Sequence, residues 1–530
     1  MPIEAANSSD PFEISNIRSH AHPSGSPHGG DEILYIPYWD GNRDRVSSFY
    51  SSLRPGHPAP TSAGGTSMAN RTIEEAAAVL VTELAFEAIP SDALTGARRL
   101  MEDQLALQIG CSSLPWCQAV LNLTRASHAP GTASVTGSED KFSAADAAFV
   151  NATFGHSFEY DDAHSASLSH PGSCVVSTAL AIGEEMGADL RQVLEGIVAG
   201  YEIYTRIGTL AAPMLLTNGF HPHAVLSPFG AAAVAAKMRG FDAATTRHAL
   251  SIAFSHSSGT TEYTSSGGSI KRVHSGIGTR NGIRSAEMAA AGITGPSGFL
   301  SGAKGLYNTF VTRDLTDADT DRFALDRPFE IAGPLFKPYC ACGYNHAFID
   351  GARRFSDRVS YIAAVELAIQ PSGDVVVGNK NINAWSPQTI EQLQYALPFQ
   401  FSLAVLGIGN GYQVHKSYLD GDLDLGAESE IAKFAQKITI RPEPELDKDY
   451  GRKMVGNIAV TFADGSREHV FVEDSVGSAA NPMSEQALDE KFRDLAIGEL
   501  GERRAKELLD TIKNAPLDTS AADLAARLRR

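Results

Sequence analysis

DLRQVLEGIVAGYEIYTRI, residues 189–207, is the stretch whose reading decides the fold. Leu190, Val193, Leu194, Ile197, Val198, Tyr201, Tyr204 and Ile207 recur at the three-to-four spacing of a helix, and little of the circumference stays polar. A helix that is apolar nearly all round belongs in the middle of a bundle. Residues 230–238 and 242–254 read the same way. Upstream, Thr72-Ile73-Glu74-Glu75 is a capping box that opens the first helix, and the chain stays Ala-rich at helical spacing to about residue 325.

The pattern changes after residue 328. Residues 361–370 (YIAAVELAIQ) and 374–377 (DVVV) are β-branched runs, and residues 454–462 and 468–472 flank Ala463-Asp464-Gly465 as a hairpin. Helical stretches at 347–357 and 390–406 lie among them, and from about 483 the chain is again charged, Ala/Leu-rich helix. The predicted fold is mainly α with a smaller α+β domain. A discontinuous helical bundle, residues 69–328 and 480–530, receives an inserted α/β lid, residues 329–479. Residues 1–68, with HPSGSPHGG and RPGHPAPTSAGGTS, read as a disordered extension, and its His20, His22 and His28 as solvent-facing loop residues.

With 530 residues, 43% hydrophobic and 20% charged, the chain has the composition of a folded multidomain protein. A net charge of −18 argues against nucleic acid or an anionic membrane as partner. It permits a small anion held by a local group of cations, because short charge-assisted hydrogen bonds outweigh a screened distant field. No apolar run is long enough to span a bilayer, and MPIEAANSSDPFEISNIR has neither signal- nor transit-peptide character, so a cytoplasmic location is expected. Five cysteines, Cys111, Cys117, Cys174, Cys340 and Cys342, are an odd number suited to free thiols, and Cys340-Ala341-Cys342 is too short a spacing for a zinc knuckle or an iron–sulfur cluster.

Four constellations carry candidate chemistry. Glu159-Tyr160-Asp161-Asp162-Ala163-His164, with His170 after it, places three acids and two imidazoles within a dozen residues. Such pairs fix a tautomer and tune an imidazole for acid–base work, although helix-capping acids or a metal site are alternatives. Asn218-Gly219-Phe220-His221-Pro222-His223 leads into an Ala-rich helix, whose N-terminus favours anions; a surface turn is the alternative. Gly267-Gly268-Ser269-Ile270-Lys271-Arg272-Val273-His274 crowds potential cations that an anion would reconcile, unless it is a solvated basic loop. Phe336-Lys337-Pro338-Tyr339-Cys340, followed by Gly343 and His346, sets a lysine at the predicted domain junction, where ligand crevices form. Nowhere do GxGxxG after a strand, GxxxxGK[ST], GxSxG or HExxH occur, which disfavours dehydrogenases, kinases, serine hydrolases and zincins.

In order, EYDDAH…SHPGS, GFHPHAV…FGAAAVAAK, GGSIKRVHSGIGTRNG…AAAGITGPSG and FKPYCACGYNHAFIDGA resemble the MmgE/PrpD family, over about residues 72–510. That family contains 2-methylcitrate dehydratase and cis-aconitate decarboxylase. The resemblance implies a helical domain with a smaller α/β lid, a homodimer, and catalysis without a metal or other cofactor. It puts Asp161, Asp162 and His170 in an acid–base cluster, and His221, Lys271, His274 and Lys337 around the substrate carboxylates. With the residues read above, the expected catalytic set is Asp161, Asp162, His170 and His274. The expected substrate-binding set is His164, His221, Lys271, Arg272, Lys337 and Tyr339. Two positions depart from the family pattern: Ala163 and His223 stand where threonine is frequent, which bears on the substrate more than on the chemistry.

The expected activity is that of a lyase dehydrating 2-methylcitrate or a related alkylcitrate. His170 would remove the α-proton, and Lys271, Arg272 and Lys337 would stabilise the aci-carboxylate. His274, or a protonated member of the Asp161/Asp162 pair, would protonate the departing hydroxyl. The first alternative is a cis-aconitate decarboxylase-type reaction, which shares the carbanion. An epimerase, a non-catalytic carboxylate-binding protein and a helical scaffold are the remaining rivals; the last requires the four motifs to lie apart in space.

Overall fold

The computed structural model describes residues 71–127, 130–449 and 453–529. The extension read over residues 1–68, with its three histidines, lies outside the described residues.

The fold is mainly helical with a small α/β part. Helix α1 (Ile73–Glu83) opens on the Thr72 capping box: Thr72 Oγ1 accepts from the Glu75 N–H, and the Glu75 carboxylate accepts from the Thr72 N–H. Helices α2 (Ser91–Cys111), α3 (Ala144–Gly155), α4 (Gly172–Met186) and α5 (Leu190–Ala211) follow. Asp189 and Gln192 form a second capping box at the start of α5, whose apolar residues are buried on every side. Next come α6 (Pro222–Met238), α7 (Ala243–Phe254) and α8 (Ile270–Ala290).

Every α6 residue except Lys237 is buried, so this helix occupies the middle of the bundle. Helix α8 lies directly against it. A Cβ on Gly282 would collide with the Pro228 carbonyl, and one on Gly276 with the Phe149 carbonyl of α3. These glycines are close-approach points between helices, and they seat a helix bearing Lys271, Arg272 and His274 on the core.

A third apolar cluster, drawn only from residues 339–470, includes Phe348, Val365, Leu367, Phe401, Ile458 and Val460. It lies between helices and a sheet of four strands, β1 (Ile362–Ile369), β2 (Ile438–Pro442), β3 (Gly456–Phe462) and β4 (Arg467–Val472), in the order β2–β1–β3–β4. β1 and β2 pair in parallel, with Val365 opposite Ile438; the other pairings are antiparallel, with Val365 opposite Val460. Helix α9 (Gly343–Arg353) reaches β3 at Gly351, where a Cβ would strike Ile458.

Two readings of this region need correction. Residues 374–377 belong to helix α10 (Pro371–Val377) and not to a strand. Pro371 presets the first helical φ, and Asp374 Oδ1 accepts from the Asn379 N–H at 2.7 Å, so local terms outweigh a short β-branched run. Residues 390–406 form two helices, α11 (Ile390–Gln394) and α12 (Leu397–Val405). Pro398 has no N–H for the Gln394 carbonyl, which accepts instead from Cys342 N–H at 3.0 Å and Asn345 Nδ2 at 3.1 Å.

Helices α13 (Glu485–Leu500), α14 (Glu502–Asn514) and α15 (Ala521–Leu528) return to the helical core. Lys491 of α13 forms an ion pair with Asp103 of α2 at 2.5 Å, and Arg98 donates to the Ile512 and Ala515 carbonyls. The five cysteines are free thiols. Among the described residues no helix is long and apolar enough to cross a membrane.

Candidate active site

Five imidazoles converge between the ends of α3, α4, α6 and α8. His156 ends α3, and its ring centroid lies 5.4 Å from His170, 6.0 Å from His221 and 4.3 Å from His223. His221 is the N-cap of α6, with Pro222 at the first helical position, and its Nδ1 lies 2.9 Å from Nδ1 of His274 on α8.

The hydrogen bonds assign tautomers. His156 Nδ1 lies 2.6 Å from Asp161 Oδ2 and donates to it, leaving a buried Nε2 lone pair with no partner. His170 Nδ1 donates to the Asp162 carbonyl at 2.7 Å, because a carbonyl can only accept, so His170 Nε2 carries a lone pair. In the His221–His274 pair one Nδ1 donates and the other accepts. When both rings are neutral, the pair therefore presents one Nε2–H and one bare Nε2.

Burial pushes all five imidazoles below the ordinary histidine range; His274 falls to about 4. For His170 the nearby Asp161 carboxylate opposes that fall. His170 is the most accessible of the five, with 17% of its side chain exposed against none for His156.

Lys271 stands in the first turn of α8, where the helix dipole and the neighbouring Lys337 and Arg272 all disfavour a cation. Burial first, then those cations, push its ammonium well below the ordinary lysine range. The compensating anion is Glu159, whose carboxylate forms an ion pair with Lys271 and lies 3.2 Å from Lys337 Nζ. Lys337 also donates to the Glu159 carbonyl at 3.3 Å. Glu159 adopts φ 55°, the left-handed region that costs a residue with a Cβ of order 1–3 kcal/mol and concentrates at functional sites.

The other expected site residues have partners of their own in the packed chain. Both Asp162 oxygens accept from the Gly172 N–H at 3.1 Å, at the start of α4, and Gln104 donates to Oδ1 at 3.2 Å. Its acid is raised well above the carboxylate range, chiefly by burial. Asp162 is thus an anchor of the loop. His164 has both ring nitrogens engaged, with Ser167 at 3.0 Å and Glu330 at 3.1 Å. Arg272 stacks on Trp116 at 3.9 Å, reaches Glu391 at 2.9 Å and bonds the Ser157 carbonyl. Tyr339 donates its hydroxyl to Asp350 at 2.5 Å and packs against His346 at 5.3 Å.

A cavity of about 580 Å³ opens onto the group. His156, Glu159, Lys271 and Arg272 line its inner end, and residues 375–395 form the facing wall. Neither His156 nor Glu159 is in the site sets read from sequence. Glu159 lay inside a quoted motif; His156 was detectable only as an imidazole five residues before Asp161. His223, read as a substrate-side departure, is fully buried and bonded to Tyr204 Oη at 2.6 Å beneath His156. Among the described residues no group of three or more His, Cys, Asp or Glu side chains is arranged to hold a metal ion.

The depressed imidazoles couple stability to pH. The folded state favours the neutral ring, so this contribution is complete above the ordinary value near 6.5 and is lost as pH falls from there through the folded values. Stability is expected to fall steeply between about pH 6.5 and 4, each titrating histidine adding up to ~1.4 kcal/mol per pH unit. Calorimetric melts across that window should show net proton uptake on unfolding. An unchanged midpoint would contradict the assignment of buried neutral rings.

The MmgE/PrpD N-terminal domain profile matches residues 75–318, and the MmgE/PrpD C-terminal domain profile matches residues 339–515. A cis-aconitate decarboxylase of Aspergillus terreus is 26% identical over 462 residues, covering 81% of this chain and 90% of that one. A cis-aconitate decarboxylase-like protein of Aspergillus oryzae is 25% identical over 470 residues, 83% and 93% of the two chains. The human cis-aconitate decarboxylase is 25% identical over 384 residues, 69% and 76% of the two chains. Two consecutive family profiles, spanning the helical core and the sheet, establish that this chain belongs to the MmgE/PrpD family.

Proposed function

We propose that the chain is a lyase that breaks a bond next to a carbanion formed on a small polycarboxylate. The observation that carries this reading is the convergence of five neutral imidazoles beside Lys271 and Lys337, with His156, Glu159 and Lys271 opening onto one cavity. Glu159 holds the seat of a carboxylate between the two lysines. A substrate carboxylate takes that seat as Glu159 withdraws, a movement eased by its left-handed backbone. Residues 329–479 act as the lid, since they supply Lys337 and the wall facing α8.

The motifs put dehydration of an alkylcitrate first and decarboxylation second; relatives named as cis-aconitate decarboxylases reverse that order. In decarboxylation the bond to the departing carboxylate breaks and carbon dioxide leaves. The electron pair spreads into the remaining unsaturated carboxylate held by the lysines, and an imidazole N–H delivers a proton to the carbon. In dehydration His170 Nε2 takes the α-proton, the pair moves into the aci-carboxylate, and hydroxide leaves as water with a proton from the Nε2–H of the His221–His274 pair. Polarised carboxylate and positioned imidazoles serve both.

Incubation with cis-aconitate, citrate and 2-methylcitrate, followed by mass, decides between them. Loss of carbon dioxide from cis-aconitate is expected. Loss of water from a citrate without decarboxylation would move the assignment to the dehydratase, and binding with neither reaction would overturn the lyase reading.

A further inference from the structure

Behind the imidazoles lies a second polar layer that the chemistry above does not use. Ser169 Oγ bonds Tyr204 Oη, which lies 2.6 Å from His223 Nδ1. On the other side of the ring, His223 Nε2 lies 3.3 Å from Ser173 Oγ, which lies 2.8 Å from Ser275 Oγ. All five residues are at most 2% exposed, and none lines the cavity. The chain thus runs from the loop before α4 through α5, α6 and α4 to α8.

Each member sits beside a residue of the site. Ser169 precedes His170, Ser275 follows His274, and His223 lies two residues beyond His221. Ser173 follows Gly172, whose N–H anchors Asp162. The His223 ring itself packs on three imidazoles, 4.3 Å from His156, 6.0 Å from His170 and 5.9 Å from His221.

A neutral imidazole has one donor and one acceptor, so at the middle of such a chain it passes the hydrogen-bond direction on. Ser227 Oγ, 3.3 Å from Nδ1, donates its proton to the His223 carbonyl at 2.6 Å and does not compete as a donor. With Nδ1 accepting from the Tyr204 hydroxyl, Nε2–H donates to Ser173; with the ring in the other tautomer every bond reverses. Either way all four bonds are made. The hydroxyl of a threonine at this position, attached directly to Cβ, spans neither side of the ring and leaves buried hydroxyls unpaired.

We infer that His223 is a positioning residue, the link of a buried Ser169–Tyr204–His223–Ser173–Ser275 chain that holds His156, His170, His221 and His274 in the arrangement proton transfer needs. The inference rests on the lyase reading above.

The test is a double-variant cycle on the full chain. His223→Leu is expected to lower kcat on a polycarboxylate roughly 10–10²-fold, the effect of a misplacement near 1 Å, with KM within about twofold. Tyr204→Phe, which deletes a single oxygen atom, should act comparably and keeps the test open should His223→Leu not fold. The double variant should lose no more than the larger single, because both break one chain. His223→Gln, whose amide again offers a donor and an acceptor, should recover part of the loss. Additive losses, equal kcat for the glutamine and leucine variants, or a lowered melting midpoint with kcat unchanged would each overturn the inference. NMR of protein with isotope-labelled histidine rings supplies a readout that needs no turnover. The His156, His170 and His221 ring resonances should move in Tyr204→Phe and His223→Leu, and unmoved resonances would overturn the positioning role. Absence of turnover in the unaltered protein would overturn the lyase reading instead, and the ring resonances then decide the positioning role by themselves.

Discussion

His170→Asn is expected to lower kcat by roughly 10²–10⁴, the range associated with a positioned general acid–base group. KM should change little, because His170 makes no ion pair with the lysines that receive the substrate carboxylate. Asparagine retains an amide donor for the Asp162 carbonyl that holds His170 Nδ1 at 2.7 Å, so the loop should persist while Nε2 disappears. Steady-state kinetics with cis-aconitate and 2-methylcitrate provide the measurement, with circular dichroism to verify folding. Retention of more than about a tenth of the activity would shift the proton-transfer role to His156, whose Nδ1 is held by Asp161 and whose Nε2 is unpartnered. A second signature follows from burial. Since His170 titrates below its ordinary value, the acidic limb of kcat/KM should lie below about pH 6.5, with activity lost as pH falls through it.

The largest effect on stability is expected from Lys491→Met, on the order of 3–5 kcal/mol of destabilisation. Lys491 is 4% exposed, lies 2.5 Å from Asp103, donates to the Tyr160 carbonyl at 2.6 Å and covers the Tyr160 ring at 4.1 Å. Removing it leaves Asp103 as a fully buried acid already raised above its ordinary range by desolvation, with its lysine counter-charge gone. The double variant Asp103→Asn with Lys491→Met should recover much of the loss, since the cost of a broken buried pair lies mainly in the charge left behind. Urea midpoints of the single and double variants measure this. Because Lys491 also holds the backbone between Glu159 and Asp161, the single variant should weaken catalysis as well as stability. A single variant within about 1 kcal/mol of the parent would show that the tie between α13 and α2 contributes little.

Local features were legible. The Thr72 and Asp189 capping boxes each require only side chains three residues apart, and the turn at Ala463-Asp464-Gly465 needs a glycine at φ 85° between strands that pair with each other. The strand Ile438–Pro442 was not legible, because its partner β1 lies some seventy residues earlier and a parallel pairing leaves no adjacent turn signal. The two lysines were identified as anion-binding groups from crowding alone. That the anion facing them belongs to the chain itself, Glu159, was not, because the contact joins residues separated by more than a hundred positions.

The sequence by itself determined the mainly helical fold, the presence of strands among the helices after residue 361, the kinds of side chain available for catalysis and the resemblance to a family, since these depend on periodicity, capping and short motifs. Tertiary structure alone decided which of those side chains face the same space. It turned Arg272 to Trp116 and Glu391, Tyr339 to Asp350, His164 to Glu330 and Asp162 to the first N–H of α4. It also brought His156, absent from both predicted site sets, to the centre of the imidazoles. The physical reason is that a buried polar group must find a partner wherever the packed chain brings one within about 3 Å, and that choice is made by close approach of distant helices, here through Gly276 and Gly282, which no local spacing encodes.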